Sequence, residues 1–85
     1  MTPPVRVYST SSCGYCRLVV ALLVRKGIKP DIIDVGGDDE KRQWLVDVTG
    51  RRTVPQVFIN DQPVGGYTDL IGLDHAGKLD PLLGL

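Results

Sequence analysis

The amino-acid sequence predicts an α/β fold with one small mixed four-stranded sheet and helices on both of its faces. Short β-type runs and helical runs follow one another in the order β-α-β-α-β-β-α. Interleaved strands and helices indicate a parallel pair joined by a crossover helix, and two adjacent strands indicate a hairpin. The 85 residues, of which 42% are hydrophobic, can bury one modest core, so we expect a single domain over residues 1–85.

The first strand and the first helix set up the rest of the chain. β-formers predict a strand over residues 5–9, and a polar loop with several potential N-cap residues follows it. A helix is then expected from about Gly14 to Lys26, ended by Gly27. Residues 18–24 are all apolar, which predicts contacts on more than one side of this helix.

The later elements are bounded by glycine breaks and turn residues. We expect the second helix to point Trp44, Leu45 and Val48 inward, and the closing segment to offer three leucines to the core. The predicted elements are a strand at 31–35, a helix from about 38 to 48, a strand at 56–59, a short strand at 62–64, a helix from about 68 to 74, and a closing helix or turn at 79–83.

Charge and hydropathy exclude several classes of partner. Ten basic and ten acidic residues cancel without any run of like charge, which argues against nucleic acid or an anionic membrane as the main partner. The longest apolar run has seven residues, far fewer than a membrane span needs. Residues 1–4 show no cationic flank before an apolar segment, so we expect no signal peptide and a cytoplasmic protein.

The chain has two cysteines, Cys13 and Cys16, at the predicted junction between the first strand and the first helix. A helix N-terminus stabilises a thiolate, which is the nucleophile of cysteine chemistry. Cys16 follows on the same helical face, close enough to close a disulfide within one turn. These features favour a redox pair, with an exposed nucleophilic Cys13 and a resolving Cys16.

Three other interpretations of the cysteines compete with the redox pair. Structural zinc needs four ligands, but there is no second cysteine pair and His75 is the single histidine. Covalent haem attachment needs a histidine where Arg17 stands. In the third interpretation both cysteines are buried and only fill space in the core, but the preceding polar loop and the helix start disfavour this.

Four stretches taken together resemble the glutaredoxin family, specifically the bacterial glutaredoxin 3 type, over essentially the whole chain. Each stretch alone is a weak signal, whereas four in this order are highly specific. The resemblance implies a thioredoxin-like fold. The stretches are Cys13-Gly14-Tyr15-Cys16, Thr53-Val54-Pro55-Gln56-Val57-Phe58-Ile59, Gly65-Gly66-Tyr67-Thr68-Asp69-Leu70 and Leu79-Asp80-Pro81-Leu82-Leu83.

The resemblance also implies a glutathione site. Pro55 would be cis and pack beside the active sulfur, while Val54 would offer backbone groups to the tripeptide. Thr68 would hold the γ-glutamyl carboxylate and Asp69 the ammonium. Alternatively, Thr68 is only a helix cap and Asp69 only complements the helix dipole.

The remaining implied glutathione-binding residues surround these. Arg52, with Arg51 as second candidate, would pair with the glycine carboxylate, although two arginines can also be a solvated loop. Thr53 precedes the Val–Pro pair, and Tyr15 would flank the tripeptide. Gly66 would let the ligand approach the backbone closely.

Two residues depart from the family pattern. Gly14 stands where proline is usual, and some glutaredoxins with a small residue there hold a 2Fe–2S cluster between two protomers, with thiolates of the Cys13 type and glutathione as ligands. Thr10 stands where a lysine usually helps to bind glutathione and to favour the thiolate. Those two roles would then fall to Arg17 and Arg52.

The implied function is a glutathione-dependent thiol–disulfide oxidoreductase, monomeric, in which Cys13 and Cys16 form a redox-active disulfide. It would act on disulfide-bearing or glutathionylated proteins, with glutathione as cosubstrate. One alternative is a same-fold mycoredoxin or another redoxin with a different reductant. A second alternative is a carrier of a 2Fe–2S cluster in a homodimer with Cys13 as ligand; no other metal site is expected.

Overall fold

The computed structural model describes residues 2–85, so that Met1 lies outside the described residues, and it confirms the predicted α/β architecture. The boundaries agree with the sequence-based ones to within about two residues. The elements are β1 (Val5–Ser9), α1 (Gly14–Arg25), β2 (Asp31–Asp34), α2 (Asp39–Thr49), β3 (Gln56–Ile59), β4 (Gln62–Gly65), α3 (Tyr67–His75) and α4 (Leu79–Leu82).

The four strands form one mixed sheet in the order β2-β1-β3-β4. β1 and β2 are parallel and are joined by α1, as expected for a crossover connection. β3 runs antiparallel to both β1 and β4. The turn between β3 and β4 contains Asn60 and Asp61, both with positive φ, which these two residue types tolerate better than most.

The two faces of the sheet bury two hydrophobic clusters. Because side chains alternate along a strand, Val7 and Val57 point to one face and Tyr8 and Phe58 to the other. The first face packs against α1, α3 and α4, whereas the second packs against Leu45 of α2. Helices therefore cover both faces of the sheet.

The predicted inward stripe of α2 is wrong in two of its three members. Leu45 is buried, but Trp44 is 40% exposed and Val48 is 43% exposed. The Trp44 ring lies at the rim of the second cluster, stacked on Phe58 at 5.6 Å between ring centroids and 5.5 Å from the ring of Tyr8. A single helix on this face meets the sheet along a narrow stripe, so its flanking apolar residues stay accessible to solvent.

α1 buries Cys16, Val19, Leu22 and Leu23, whereas its apolar residues Leu18 and Val24 are exposed. One expectation for the closing segment needs correction. In the closing segment Leu79 and Leu83 reach the core, whereas Leu82 is exposed. Residues four apart share one face of a helix, and Leu82 lies off that face.

The end of α1 is tied to the two C-terminal helices by one lysine. Lys26 Nζ lies 2.7 Å from a carboxylate oxygen of Asp74 in α3 and 2.7 Å from one of Asp80 in α4. Hydrogen bonds to Asp74 first and Asp80 second raise the pKa of Lys26. None of the helices formed by residues 2–85 is long and apolar enough to cross a bilayer.

Two leucines of α1 provide a matched test of this packing. We expect Leu23→Ala to lower the free energy of unfolding by about 2–5 kcal/mol, since it leaves a cavity in a fully buried site. Leu18→Ala, which removes the same atoms from an exposed site of the same helix, should change it by less than about 0.5 kcal/mol. Urea unfolding of the reduced proteins measures both, and equal losses would contradict the described core.

Candidate active site

Cys13 lies in the connection between β1 and α1 and is the N-cap residue of that helix. Its backbone is extended, with φ −93° and ψ 111°, and its Sγ accepts a hydrogen bond from the N–H of Cys16 at 3.1 Å. The first N–H groups of a helix have no partner within the helix, so the sulfur supplies one of them with an acceptor. This N–H and the helix dipole both favour negative charge on the Cys13 sulfur.

Cys16 lies one helical turn further on and is buried, with 4% of its surface exposed. Both cysteines are free thiols in this structure. Burial first, and then the hydrogen bond with Cys13, raises the pKa of Cys16 to about 11. Cys16 therefore stays protonated at neutral pH, and Cys13 is the sulfur that a partner molecule can reach.

A second backbone segment approaches the Cys13 sulfur from the loop before β3. The Cys13 thiol donates to the carbonyl oxygen of Val54 at 3.7 Å, a long contact typical of sulfur. This contact leaves Cys13 half-buried rather than fully exposed as expected. The peptide bond between Val54 and Pro55 is cis, as the resemblance implies. The loop is held by Gln56, whose Nε2 donates to the Thr53 carbonyl at 3.0 Å.

Asp69 connects the start of α3 to the loop before β3. One of its carboxylate oxygens accepts from the Gly66 N–H at 2.9 Å and from Nη1 of Arg51 at 2.6 Å. The Arg51 guanidinium, followed by the Gly66 N–H, holds the pKa of Asp69 below its usual value. Gly65 has φ +107°, and a side chain there would collide with the Asp69 carboxylate, so this position requires glycine.

Seven of the eight residues predicted to bind glutathione line one cavity of about 420 Å³. Arg51 and Tyr67 line it as well. Arg52 instead lines a different cavity with Asp39 and Arg42 of α2. The seven predicted residues are Tyr15, Thr53, Val54, Pro55, Gly66, Thr68 and Asp69.

Two tyrosines form an aromatic wall of this cavity. The rings of Tyr15 and Tyr67 have centroids 5.8 Å apart and planes tilted by 35°. Tyr67 is the lining residue that sequence analysis missed. The available signal was its position, because it opens α3 directly after Gly66 and next to Thr68. An aromatic residue in the first turn of a helix at a binding cavity is well placed to contact a ligand.

The two departures from the family pattern have simple local settings. A Cβ added to Gly14 would meet no atom within 4 Å, so no steric need excludes a larger residue at this position. Thr10 lines another cavity, of about 410 Å³, together with Cys13, Cys16 and Arg17. Of the two arginines expected to replace the usual lysine, Arg17 therefore lies beside the cysteines and Arg52 does not.

The side chains of residues 2–85 of one chain do not supply a complete set of ligands for a 2Fe–2S cluster. Within residues 2–85, no three His, Cys, Asp or Glu side chains lie together as metal ligands would. Cys16 is buried and hydrogen-bonded beneath Cys13, which leaves one accessible thiolate. Further ligands would have to come from another molecule.

The sequence is similar to those of known glutaredoxins. The model of the family described as Glutaredoxin matches residues 5–64. A probable glutaredoxin of Synechocystis is 44% identical over 80 residues, covering 93% of this chain and 91% of its own. Glutaredoxin 3 of Escherichia coli is 43% identical over 79 residues, covering 93% of this chain and 95% of its own.

Solved structures show the same fold. A buckwheat glutaredoxin in complex with glutathione superposes with a TM-score of 0.91 at 34% identity, covering 96% of this chain and 77% of that one. The solution structure of a glutaredoxin from Brucella melitensis has a TM-score of 0.86 at 41% identity, covering 96% and 89%. These similarities confirm the thioredoxin-like fold that the resemblance implies.

The raised pKa of Cys16 has a consequence for alkylation. In a Cys13→Ser variant the hydrogen bond with Cys13 is lost, but the burial of Cys16, the largest cause of its raised pKa, remains. We therefore expect iodoacetamide to label Cys16 slowly at pH 7 and faster as the pH rises, since only the thiolate reacts. A Cys16→Ser variant should be labelled faster at Cys13, because that sulfur is the more exposed of the two. Mass spectrometry follows both reactions, and a plateau of the Cys16 rate below pH 9 would contradict the assignment.

Proposed function

Because the chain belongs to the glutaredoxin family of thiol–disulfide oxidoreductases, we propose that it uses glutathione to reduce protein disulfides and glutathionylated proteins. The observation that carries this proposal is the cavity of about 420 Å³ beside Cys13, lined by Arg51, Asp69 and the start of α3. Glutathione carries two carboxylates and one ammonium, and this lining offers two sites for anions and one for a cation. One similar structure is that of a buckwheat glutaredoxin in complex with glutathione.

The γ-glutamyl end of the tripeptide would bind at the start of α3. The N–H groups of the first turn and the Thr68 hydroxyl would hold its carboxylate, since a helix N-terminus attracts anions. Asp69, held ionised by Arg51 and the Gly66 N–H, would take the ammonium. A Cβ at Gly66 would lie 3.1 Å from the Pro55 carbonyl, so a small residue keeps this end of the cavity open.

The glycine carboxylate of the tripeptide would bind at Arg51 rather than at Arg52. Arg51 lines the cavity and reaches Asp69 at 2.6 Å, whereas the side chain of Arg52 lies by α2. Half of the Arg51 side chain is exposed, so it can turn towards a carboxylate without unpacking the core. The tripeptide would therefore bring a negative partner for Arg51 and a positive one for Asp69.

The reaction with a protein disulfide would take two steps. The Cys13 thiolate attacks one sulfur of the disulfide, forms a mixed disulfide and expels the other sulfur as a thiolate, which takes up a proton. Cys16 then loses its proton, attacks the Cys13 sulfur and releases the second substrate thiol. The substrate gains two electrons, Cys13 and Cys16 form a disulfide, and two glutathione molecules restore both thiols as they become glutathione disulfide.

A glutathionylated protein would need Cys13 alone. The Cys13 thiolate attacks the glutathione sulfur held in the cavity, and the protein leaves as its thiol after taking up a proton. A second glutathione then attacks the glutathione sulfur of the mixed disulfide, which frees Cys13 and gives glutathione disulfide. The burial and the raised pKa of Cys16 support the order in which Cys13 reacts first and Cys16 second, because Cys16 attacks only after losing a proton.

Serine substitutions separate the two cysteines. With the mixed disulfide of glutathione and 2-mercaptoethanol as substrate, we expect Cys13→Ser to lower the rate at least a hundredfold and Cys16→Ser to keep activity within about tenfold, because this substrate needs one nucleophile. Oxidation of NADPH by glutathione reductase measures the rate. Full activity of the Cys13→Ser variant would refute the assigned role, and faster reduction of the oxidised protein by mycothiol than by glutathione would favour a mycoredoxin.

The two arginines form a matched pair. We expect Arg51→Gln to raise the KM for glutathione about tenfold, because a charge-assisted contact to a carboxylate is lost at a partly exposed site. Arg52→Gln, with the same loss of charge one residue away, should change it less than about twofold. The coupled assay at varied glutathione concentrations measures both, and the opposite ranking would move the glycine carboxylate to Arg52.

A further inference from the structure

We propose that protein substrates bind along a groove between α1 and β2 as an extended apolar segment beside their oxidised cysteine. This inference rests on the proposed function and adds where a protein partner binds and which chemistry it presents. The groove is the cavity of about 410 Å³ that contains Cys13 and Cys16 in its lining. It shares no lining residue with the cavity assigned to glutathione.

One wall of the groove is a stripe along α1. Cys16, Val20 and Val24 follow one another at intervals of four residues and therefore lie in one row on the helix surface. Ala21 lies beside this row, and Ile32 of β2 forms the facing wall. The row begins at the cysteines and runs two turns away from them.

The groove is apolar and open to a partner. Val24 is 57% exposed and Ile32 is 56% exposed, although both are large aliphatic residues. Exposed aliphatic side chains that face each other across a cavity are typical of binding surfaces. Arg17 is the one charged residue in the lining, so glutathione with its three charges is poorly matched to this groove.

The dimensions suit a short stretch of extended chain. Eight residues of helix from Cys16 to Val24 span about 12 Å, the length of roughly three to four residues in a strand. β2 pairs only with β1 in the sheet formed by residues 2–85, so one of its edges is open beside the groove. An extended segment can pair with such an edge while its apolar side chains enter a neighbouring groove.

The continuity with the reactive sulfur identifies the occupant. A segment whose side chains lie along Val20, Val24 and Ile32 ends at Cys13, where the first thiol exchange takes place. The Cys13 thiolate forms a bond to one sulfur of that segment's disulfide, and the other sulfur leaves as a thiol after taking up a proton. Glutathione can meanwhile use its own cavity, since the two linings are separate.

Acidic substitutions in the groove test this assignment. The two substrates are a disulfide-linked dimer of a synthetic peptide with valines flanking its cysteine, and the mixed disulfide of glutathione and 2-mercaptoethanol. We expect Val24→Glu and Ile32→Glu to lower kcat/KM for the peptide roughly tenfold, because an apolar contact is replaced by a charge. Turnover of the small mixed disulfide should stay within about twofold.

A matched control and a charge swap sharpen the result. Val48→Glu introduces the same charge at an exposed valine of α2 and should leave both substrates within about twofold of wild type. A peptide dimer with lysines in place of the valines should regain most of the lost rate with Ile32→Glu. Unchanged peptide turnover in both groove variants, or equal losses on both substrates, would overturn the groove assignment.

Direct localisation separates this inference from the proposed function. In a Cys16→Ser variant the peptide is trapped on Cys13 as a mixed disulfide. We expect the NMR chemical shifts of the protein's backbone amides to change at Val20, Val24 and Ile32. Changes confined to Thr53 and Thr68 would place the peptide in the glutathione cavity and overturn the inference, while the proposed function would stand. A wild-type protein that reduces neither substrate would refute the proposed function and the groove with it.

Discussion

The position of the Cys13 sulfur between two backbone segments is the constraint on which the site depends. On one side it accepts the N–H of Cys16 at the start of α1, and on the other its thiol donates to the Val54 carbonyl. The first contact needs the strand β1 to deliver the chain to a helix N-terminus. The second needs the loop before β3 to reach the same point. The second contact follows from the antiparallel pairing of β1 and β3, because the end of β1 then lies beside the start of β3.

The two cysteines share one helical turn and have different environments. Cys13 caps the N-terminus of α1 and is half-buried, whereas Cys16 lies one turn further on in the protein interior. Burial disfavours the thiolate form of Cys16, which explains why its pKa is raised and why it is a thiol at neutral pH. A helix start thus gives one accessible and one protected thiol within a four-residue motif, with Arg17 as the charged residue beside them.

The two cavities near the cysteines differ in chemistry because different elements line them. The one assigned to glutathione is built from a loop and the first turn of α3, which supply charged side chains and free N–H groups. The groove between α1 and β2 is built from the sides of regular elements, whose accessible surface here is aliphatic. In the first cavity Arg51 and Asp69 form an ion pair with each other, so the proposed zwitterionic ligand would replace one ion pair by two.

The sequence by itself determined the order of strands and helices, the placement of Cys13 at a helix start and the family. These features depend on local periodicity, on turn residues such as Gly36-Gly37 and Gly65-Gly66, and on short motifs. All of these signals are carried by residues close together in the chain. Most of the residues that line the cavity proposed for glutathione could be named for the same reason, since Val54, Pro55 and Thr68 belong to such motifs.

Only the tertiary structure decided which side chains share a cavity and how deeply each is buried. The sequence favoured Arg52 over Arg51, yet Asp69 from a distant helix holds Arg51 at the candidate site. Trp44 looks like a core residue, but its exposure depends on how narrowly α2 meets the sheet. Contacts between residues far apart in the chain set these properties, because the geometry of packing, and not local propensity, determines what each side chain meets.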